Sequence, residues 1–433
     1  MRRVSNGVSA VEAVFYQTWT QVMSGKSHLD SALSRIQGVR EKDAVAQTLS
    51  LVLRKPSSVL RAVGVKTESG WIWKEQKPER LVTDSRFREG IQGLLSLYLS
   101  GKPLPNPDAE EGDYPPELLR SWKESWGALV TSNLVRSLGE SPGITVRWRR
   151  SAISQVQAWV DETFQETQVR FEKGRVSPLA FGSRTFARIL HSDAYKRGDF
   201  EIQDEGSQLL AMIALDPLAF HRPGFVAPRP TEIIEPYGSD VLKVLSPMTV
   251  VDACAGAGGK TLAMADALNG RGRVFSYDVA PPKLKALSSR VSRTGMRNVK
   301  AVLLEEGSES DSLKKFSQSA DRVLVDAPCS GMGVLRKCPD IKWSNRGESA
   351  FHSLEQLQRR LLSTYAALVR PDGFLTYSTC TFRREETFDV VEEFLATNSE
   401  FESLYAGYIG PGGLSDFGSD GFFVATFRRR ACE

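Results

Sequence analysis

Long apolar runs are missing from this 433-residue sequence. None approaches the roughly 20 residues needed to span a bilayer, so a chain that makes no use of a membrane is expected. The first residues, MRRVSNGVSAVEAVFYQTW, carry two arginines but are too polar for a secretory leader. A cytoplasmic protein is the reading that follows. Cysteine is scarce, with five residues at 254, 329, 338, 380 and 432 and no CxxC pair. An odd, sparse set argues against a disulfide framework, and without paired thiols no metal is expected. A strong charge of one sign is missing too: the net charge is +4. Residues 1–111 hold 16 Lys/Arg against 12 Asp/Glu, which accounts for the excess. So mild a bias is compatible with nucleic acid without requiring it. Internal repeats and low-complexity tracts are also lacking.

What is present is a change of rhythm along the chain. Over residues 8–100, Val11, Val14, Phe15, Trp19 and Val22 follow helical spacing. So do Val45, Leu49, Val52 and Leu53, then Ile91, Leu94, Leu95 and Tyr98, which predicts a helical bundle. GKPLPNPDAEEGDYPP (101–116) reads as a linker rich in proline and acid. Beyond it, Leu118, Leu119, Trp122 and Trp126 begin a helix, ITVRWRR (144–150) reads as a strand, and Ile153, Val156, Val160 and Phe164 mark another helix. From about residue 245 short apolar strands alternate with helices: MTVVDA (248–253), RVFSYD (273–278), VKAVLL (299–304), RVLVDA (322–327) and GFLTYS (373–378). That alternation predicts an α/β fold with a mostly parallel sheet, whose ligands bind beyond the carboxyl ends of the strands. Domains are expected at 1–105 (all-α), 106–215 (small α/β) and 216–433 (Rossmann-like).

The turn Asp252-Ala-Cys-Ala-Gly-Ala-Gly-Gly-Lys-Thr261 follows one of these strands and opens a helix. Its glycines allow close backbone approach to a ligand. Two classes share such a turn. A nucleotide-binding P-loop needs glycine five residues before Gly259, where Cys254 stands. A nucleoside-cofactor site instead needs an acid at the end of the next strand, and Asp278 is there to accept ribose hydroxyls. Asp278 reads equally as a helix cap, since prolines follow it.

Cys329, in Asp326-Ala-Pro-Cys-Ser-Gly331, and Cys380, in Tyr377-Ser-Thr-Cys-Thr381, both follow strands that end at the cofactor edge. One free cysteine is usually a small buried hydrophobe; two at this edge, beside Asp326, suggest chemistry. C5 of a pyrimidine is a poor nucleophile, and a thiolate adding at C6 makes it reactive toward a methyl donor. A site using this route is expected to favour thiolate. Asp326 is placed to stabilise charge in the ring, and the base must leave its stack to reach these groups.

DACAGAGGKT, DAPCSGMGVLRKCPDIKW and RPDGFLTYSTC resemble the RsmB/Sun family of RNA cytosine-C5 methyltransferases. GDFEIQDEGSQ (198–208) and DGFFVATF (420–427) are similar as well. The resemblance implies S-adenosylmethionine held by Cys254, Ala255, Gly256, Ala257, Gly258, Gly259 and Lys260, with Asp278, Asp326 and a third acid, for which Glu305 is preferred to Glu306. It implies that Cys380 attacks C6, that Cys329 assists release, and that Arg336, Asp340 and Trp343 lie near the active site as RNA contacts. The front of the chain looks similar to a NusB-like domain followed by a small RNA-binding domain, with Arg147 and Arg149 as contacts. This layout implies RNA as partner, 16S ribosomal RNA ahead of transfer RNA, and a monomer. The chain departs from the family where AGAGGK replaces the frequent AAPGGK, and where Glu385-Glu386-Thr387 stands for ENE. A non-catalytic RNA-binding assembly factor is the alternative of another class; retention of both thiols, Asp326 and Lys260 argues against it.

Overall fold

The computed structural model describes residues 2–24, 28–36, 39–66, 71–74, 78–184, 189–220, 247–305, 313, 316–344, 348–411 and 419–431. Among them, no helix is long and apolar enough to cross a membrane. The chain forms two compact units. The first comprises residues 1–141 together with 334–347, the second 142–333 with 348–433. This differs from the expected boundaries at 105 and 215.

The first unit is helical, and its stripes meet as their spacing predicts. Phe15, Trp19, Val45, Leu49, Val52, Leu53, Ile91, Leu94 and Leu95 share one core. Helix Ser85–Leu99 starts where Asp84 accepts from the backbone N–H of Arg86 at 2.8 Å, satisfying a donor that has no intrahelical partner. The expected linker does not end this unit. Asp113 is buried and accepts from Ser58 Oγ at 2.6 Å, so the acidic stretch folds back on the helices. Helix Pro116–Gly139 follows, kinked at Gly127. Segment 334–347 completes the core: Trp343 lies 4.3 Å from Trp73 and 5.2 Å from Trp19, ring centre to ring centre, and its indole donates to Leu53 O at 3.0 Å.

The second unit holds two sheets. β1 (Ile144–Trp148), β2 (Glu172–Lys173), β3 (Ala180–Ser183) and β4 (Phe200–Ile202) form an antiparallel sheet in the order β2-β3-β1-β4. β5 (Thr249–Asp252), β6 (Arg273–Asp278), β7 (Val299–Leu303), β8 (Ala320–Asp326), β9 (Val369–Thr379), β10 (Phe401–Ile409) and β11 (Phe422–Arg429) form the larger one. Its order is β10-β11-β9-β8-β5-β6-β7, with β5 to β9 mutually parallel and β11 antiparallel to both of its neighbours, β9 and β10. Strand order reverses at β5, between β6 and β8, which opens a crevice at their carboxyl ends.

Candidate active site

Everything that the sequence marked as chemistry on β5, β6, β8 and β9 comes to this one edge. A cavity of about 450 Å³ is lined by the turn after β5, by Asp278, Asp326 and both Cys329 and Cys380. That volume lies in the range of small-ligand pockets, roughly 300–1,000 Å³.

The turn is held from below by β6 and the helix after it. Gly256 and Gly258 adopt φ of 54° and 88°. The Gly256 N–H donates to Asp278 Oδ2 at 2.8 Å, while Asp278 Oδ1 accepts from Ala280 N–H at 2.8 Å. Asp278 therefore lines the cavity and ties down Ala280 just ahead of the following helix, whose N-cap position Ala280 itself occupies. Each carboxylate oxygen keeps a second lone pair, which a ribose hydroxyl can use. Asp252 is buried, accepts from Thr261 Oγ1 at 2.6 Å, and has its other oxygen unpartnered. Burial pushes its pKa up to about 6, against the Thr261 bond, which lowers it. Cys254 also lines the cavity, and burial raises its thiol pKa. A glycine cradle, acids for hydroxyls and an orphaned carboxylate oxygen for an ammonium suit the nucleoside and amino-acid ends of S-adenosylmethionine.

Asp326 stands between turn and thiols. Lys260 Nζ donates to its Oδ2 at 2.6 Å and Ser378 Oγ to its Oδ1 at 2.8 Å. Burial alone would lower the Lys260 pKa; the Asp326 carboxylate outweighs it and raises the value. The sulfurs of Cys329 and Cys380 are 3.0 Å apart, and the Cys380 N–H points at the Cys329 sulfur at 3.2 Å. The Cys380 pKa is raised well above the ordinary thiol value, first by the hydrogen bond to Cys329, then by burial, with Lys260 opposing. That direction runs against the expectation of a site that favours thiolate.

Sequence reasoning passed over three positioning side chains. Ser378 precedes Cys380 by two residues, so strand alternation sends it toward the same face, and a polar residue on a buried strand was the signal. Glu386 is buried and accepts from Ser330 N–H at 2.8 Å and Gln358 Nε2 at 2.9 Å, fixing the residue after Cys329. The third is Arg290, taken up below.

Other expected site residues lie elsewhere. Leu304 lines the cavity, while Glu305 is exposed and is not among its lining residues; Glu306 falls outside the described residues. Of the residues expected as RNA contacts, Arg147, Arg149, Arg336 and Trp343 all have partners within the protein. Arg147 is buried, its Nε donating to Gln203 Oε1 at 2.8 Å beside Asp266 at 3.4 Å. Arg149 donates to Thr294 O at 2.8 Å. Both arginines tie β1 to the α/β core, because Asp266 offers a carboxylate to their strand. Arg336 is buried with a bond to Ser141 O at 3.2 Å, and Trp343 is enclosed by tryptophans, both in the helical unit. Asp340 is half-buried in the same unit. Among the described residues no cluster of side chains could hold a metal ion.

A doubly wound sheet with a glycine turn, an acid at the end of the next strand and two thiols lining the same cavity fits a Rossmann-like methyltransferase. Comparison with known proteins agrees. Residues 240–428 match the family described as "16S rRNA methyltransferase RsmB/F". The chain is 28% identical over 357 residues to the "Probable ribosomal RNA small subunit methyltransferase B" of Bacillus subtilis (strain 168), covering 79% of this chain and 71% of that protein. It is 35% identical over 191 residues to the "Ribosomal RNA small subunit methyltransferase B" of Pasteurella multocida (strain Pm70), 42% of each chain. Among solved structures, that of PH0851 superposes with a TM-score of 0.66 at 21% identity, over 97% of this chain and 99% of the other. Residues 240–428 thus resemble that family, and the protein is an S-adenosylmethionine-dependent RNA methyltransferase.

Proposed function

We propose that this enzyme forms 5-methylcytosine in ribosomal RNA of the small subunit, through a transient bond between Cys380 sulfur and C6 of the target base. The substrate class is supported by the names of its relatives, and it carries a cytoplasmic place of action. The observation that supports the chemistry best is the pair of sulfurs 3.0 Å apart in the cavity that also contains the glycine turn. S-adenosylmethionine, held by the 254–260 turn, Asp278 and Asp326, supplies the methyl group.

The chain's own residues divide the work. The Cys380 thiol first loses its proton to solvent, and the thiolate then bonds to C6, which moves electron density onto C5. Asp326, neutralised by Lys260 and oriented by Ser378, presents a fixed carboxylate to the edge of the base. After methyl transfer the C5 proton leaves, and Cys329 is close enough to Cys380 to assist as the C6–sulfur bond breaks and the thiol is regenerated.

Trapping tests this. Cys329→Ala should accumulate a covalent RNA adduct on denaturing gels, and Cys380→Ala should not. If neither variant crosslinks and no tritium leaves a C5-labelled cytosine with the native enzyme, the covalent reading is wrong. Bisulfite sequencing of ribosomal and transfer RNA, with and without the protein, names the nucleotide.

A further inference from the structure

The cofactor turn has the makings of a mobile loop. It carries Gly256, Gly258 and Gly259 within Ala255–Lys260 and contains no proline. Glycine-rich backbone loses much entropy on being fixed, so something must hold it in the binding shape. Besides the bond from Ala255 N–H to Tyr277 O at 2.9 Å, three contacts do so, from β6 and helix Pro281–Thr294. Asp278 takes the Gly256 N–H. Leu287 packs under Gly258, where an added Cβ would collide with its Cδ1. Arg290, one turn beyond Leu287, donates from NH1 to Ala257 O at 2.7 Å.

Arg290 is itself held. Its Nε and NH2 donate to Glu201 Oε2 on β4 at 3.0 and 2.8 Å. Glu201 is 2% exposed at its side chain and also pairs with Arg293. Arg293 in turn donates to the Tyr195 carbonyl and lies over its ring at 4.0 Å. The guanidinium on the turn is thus locked to the small antiparallel sheet.

We propose that Arg290, oriented by Glu201, is a positioning residue that clamps the cofactor turn and supplies the rigidity that the turn's own sequence lacks. It acts on a backbone carbonyl and does not reach the reacting atoms. The clamp also makes S-adenosylmethionine affinity depend on β4, an element outside the cofactor-binding sheet. The inference rests on the reading that the 254–260 turn binds the cofactor.

The test is calorimetric titration of the full-length protein with S-adenosylmethionine, alongside steady-state kinetics. Arg290→Ala should weaken binding roughly tenfold, the worth of one charge-assisted hydrogen bond. KM for the cofactor should rise while kcat at saturation and KM for RNA move little. Glu201→Gln should give a smaller loss in the same direction. A covalent substitute for the clamp is available. Ala257 meets two of proline's requirements: its φ is not positive, and its N–H donates no backbone bond. Ala257→Pro added to Arg290→Ala should recover most of the lost affinity, a rescue that a merely destabilised fold would not show. If Ala257→Pro does not fold, amide exchange at 256–259 reads the same quantity, and should be faster in Arg290→Ala than in native protein. Native-like affinity in Arg290→Ala, or unchanged exchange, overturns the proposal. Asp278→Ala separates the two claims: unweakened binding there means that the cofactor lies elsewhere.

Discussion

Removing the Glu386 carboxylate gives the sharpest test of how the paired thiols are held. Its Oε2 receives the Ser330 N–H and the Gln358 amide, and Arg383 Nε lies 3.5 Å from Oε1, an electrostatic contact rather than a hydrogen bond. Arg383 also contacts Glu355 at 3.3 Å and Phe351 at 4.0 Å, so it has other support. Glu386→Gln keeps the shape and exchanges a charged acceptor for a neutral one. Two bonds each fall from about 1.5–3 kcal/mol to about 0.5–1.5 kcal/mol, a total loss of roughly 1–3 kcal/mol. Glu386→Ala leaves a buried N–H and a buried amide without their acceptor, at about 1–3 kcal/mol each. Because the chain has two compact units, a single global midpoint is a poor measure. Amide exchange across 326–333 reads the local opening directly and should speed up in the order native, Gln, Ala. Ser330 adjoins Cys329, so release of the RNA adduct should slow more than its formation. Equal exchange in all three proteins, or a change below about 0.5 kcal/mol for Glu386→Ala, would refute the assignment.

Two further outcomes follow from the same edge of the sheet. With the Cys380 pKa raised by Cys329 and burial, thiolate is scarce at neutral pH and deprotonation creates the nucleophile, so single-turnover rate should climb about tenfold per pH unit between pH 7 and 9; a plateau below pH 8 contradicts this. Gly258→Ala should cost about 1–2 kcal/mol for a Cβ on a left-handed backbone and a further ~1–3 kcal/mol for the collision with Leu287, whereas Gly256→Ala, where an added Cβ meets nothing within 4 Å, should cost only the backbone share. Equal losses of thermal stability in the two variants would show that Leu287 packing plays no part.

Much of this was legible in the sequence because the chemistry lies at strand ends. β5, β6, β7, β8 and β9 all fall on apolar runs read directly from the chain, and the residues that follow them converge by topology alone. β10 escaped because FESLYAGYI alternates weakly and offers no motif. The arginines of β1 misled for a physical reason: a basic strand looks like an RNA surface until the partner carboxylate is found, and Asp266 is more than a hundred residues away. Adjacent acids pose the same difficulty. Glu385 is exposed and Glu386 is buried, and nothing local says which of the two turns inward. The two compact units do not part at the Pro-rich stretch 101–116, because such composition signals only an absence of regular structure, and Asp113 folds back onto Ser58.

Segment 334–347 is numbered within the methyltransferase sequence yet is built into the helical unit. The polypeptide therefore leaves the catalytic sheet just after the Cys329 loop, lends Trp343 to another core, and returns to begin helix Glu348–Ala366. Three peptide crossings, not one, join the two units, so no single protease cut can part them. Transplanting the front of this protein onto a relative would require carrying along a piece of sequence nearly two hundred residues downstream, or leaving a tryptophan-sized hole behind.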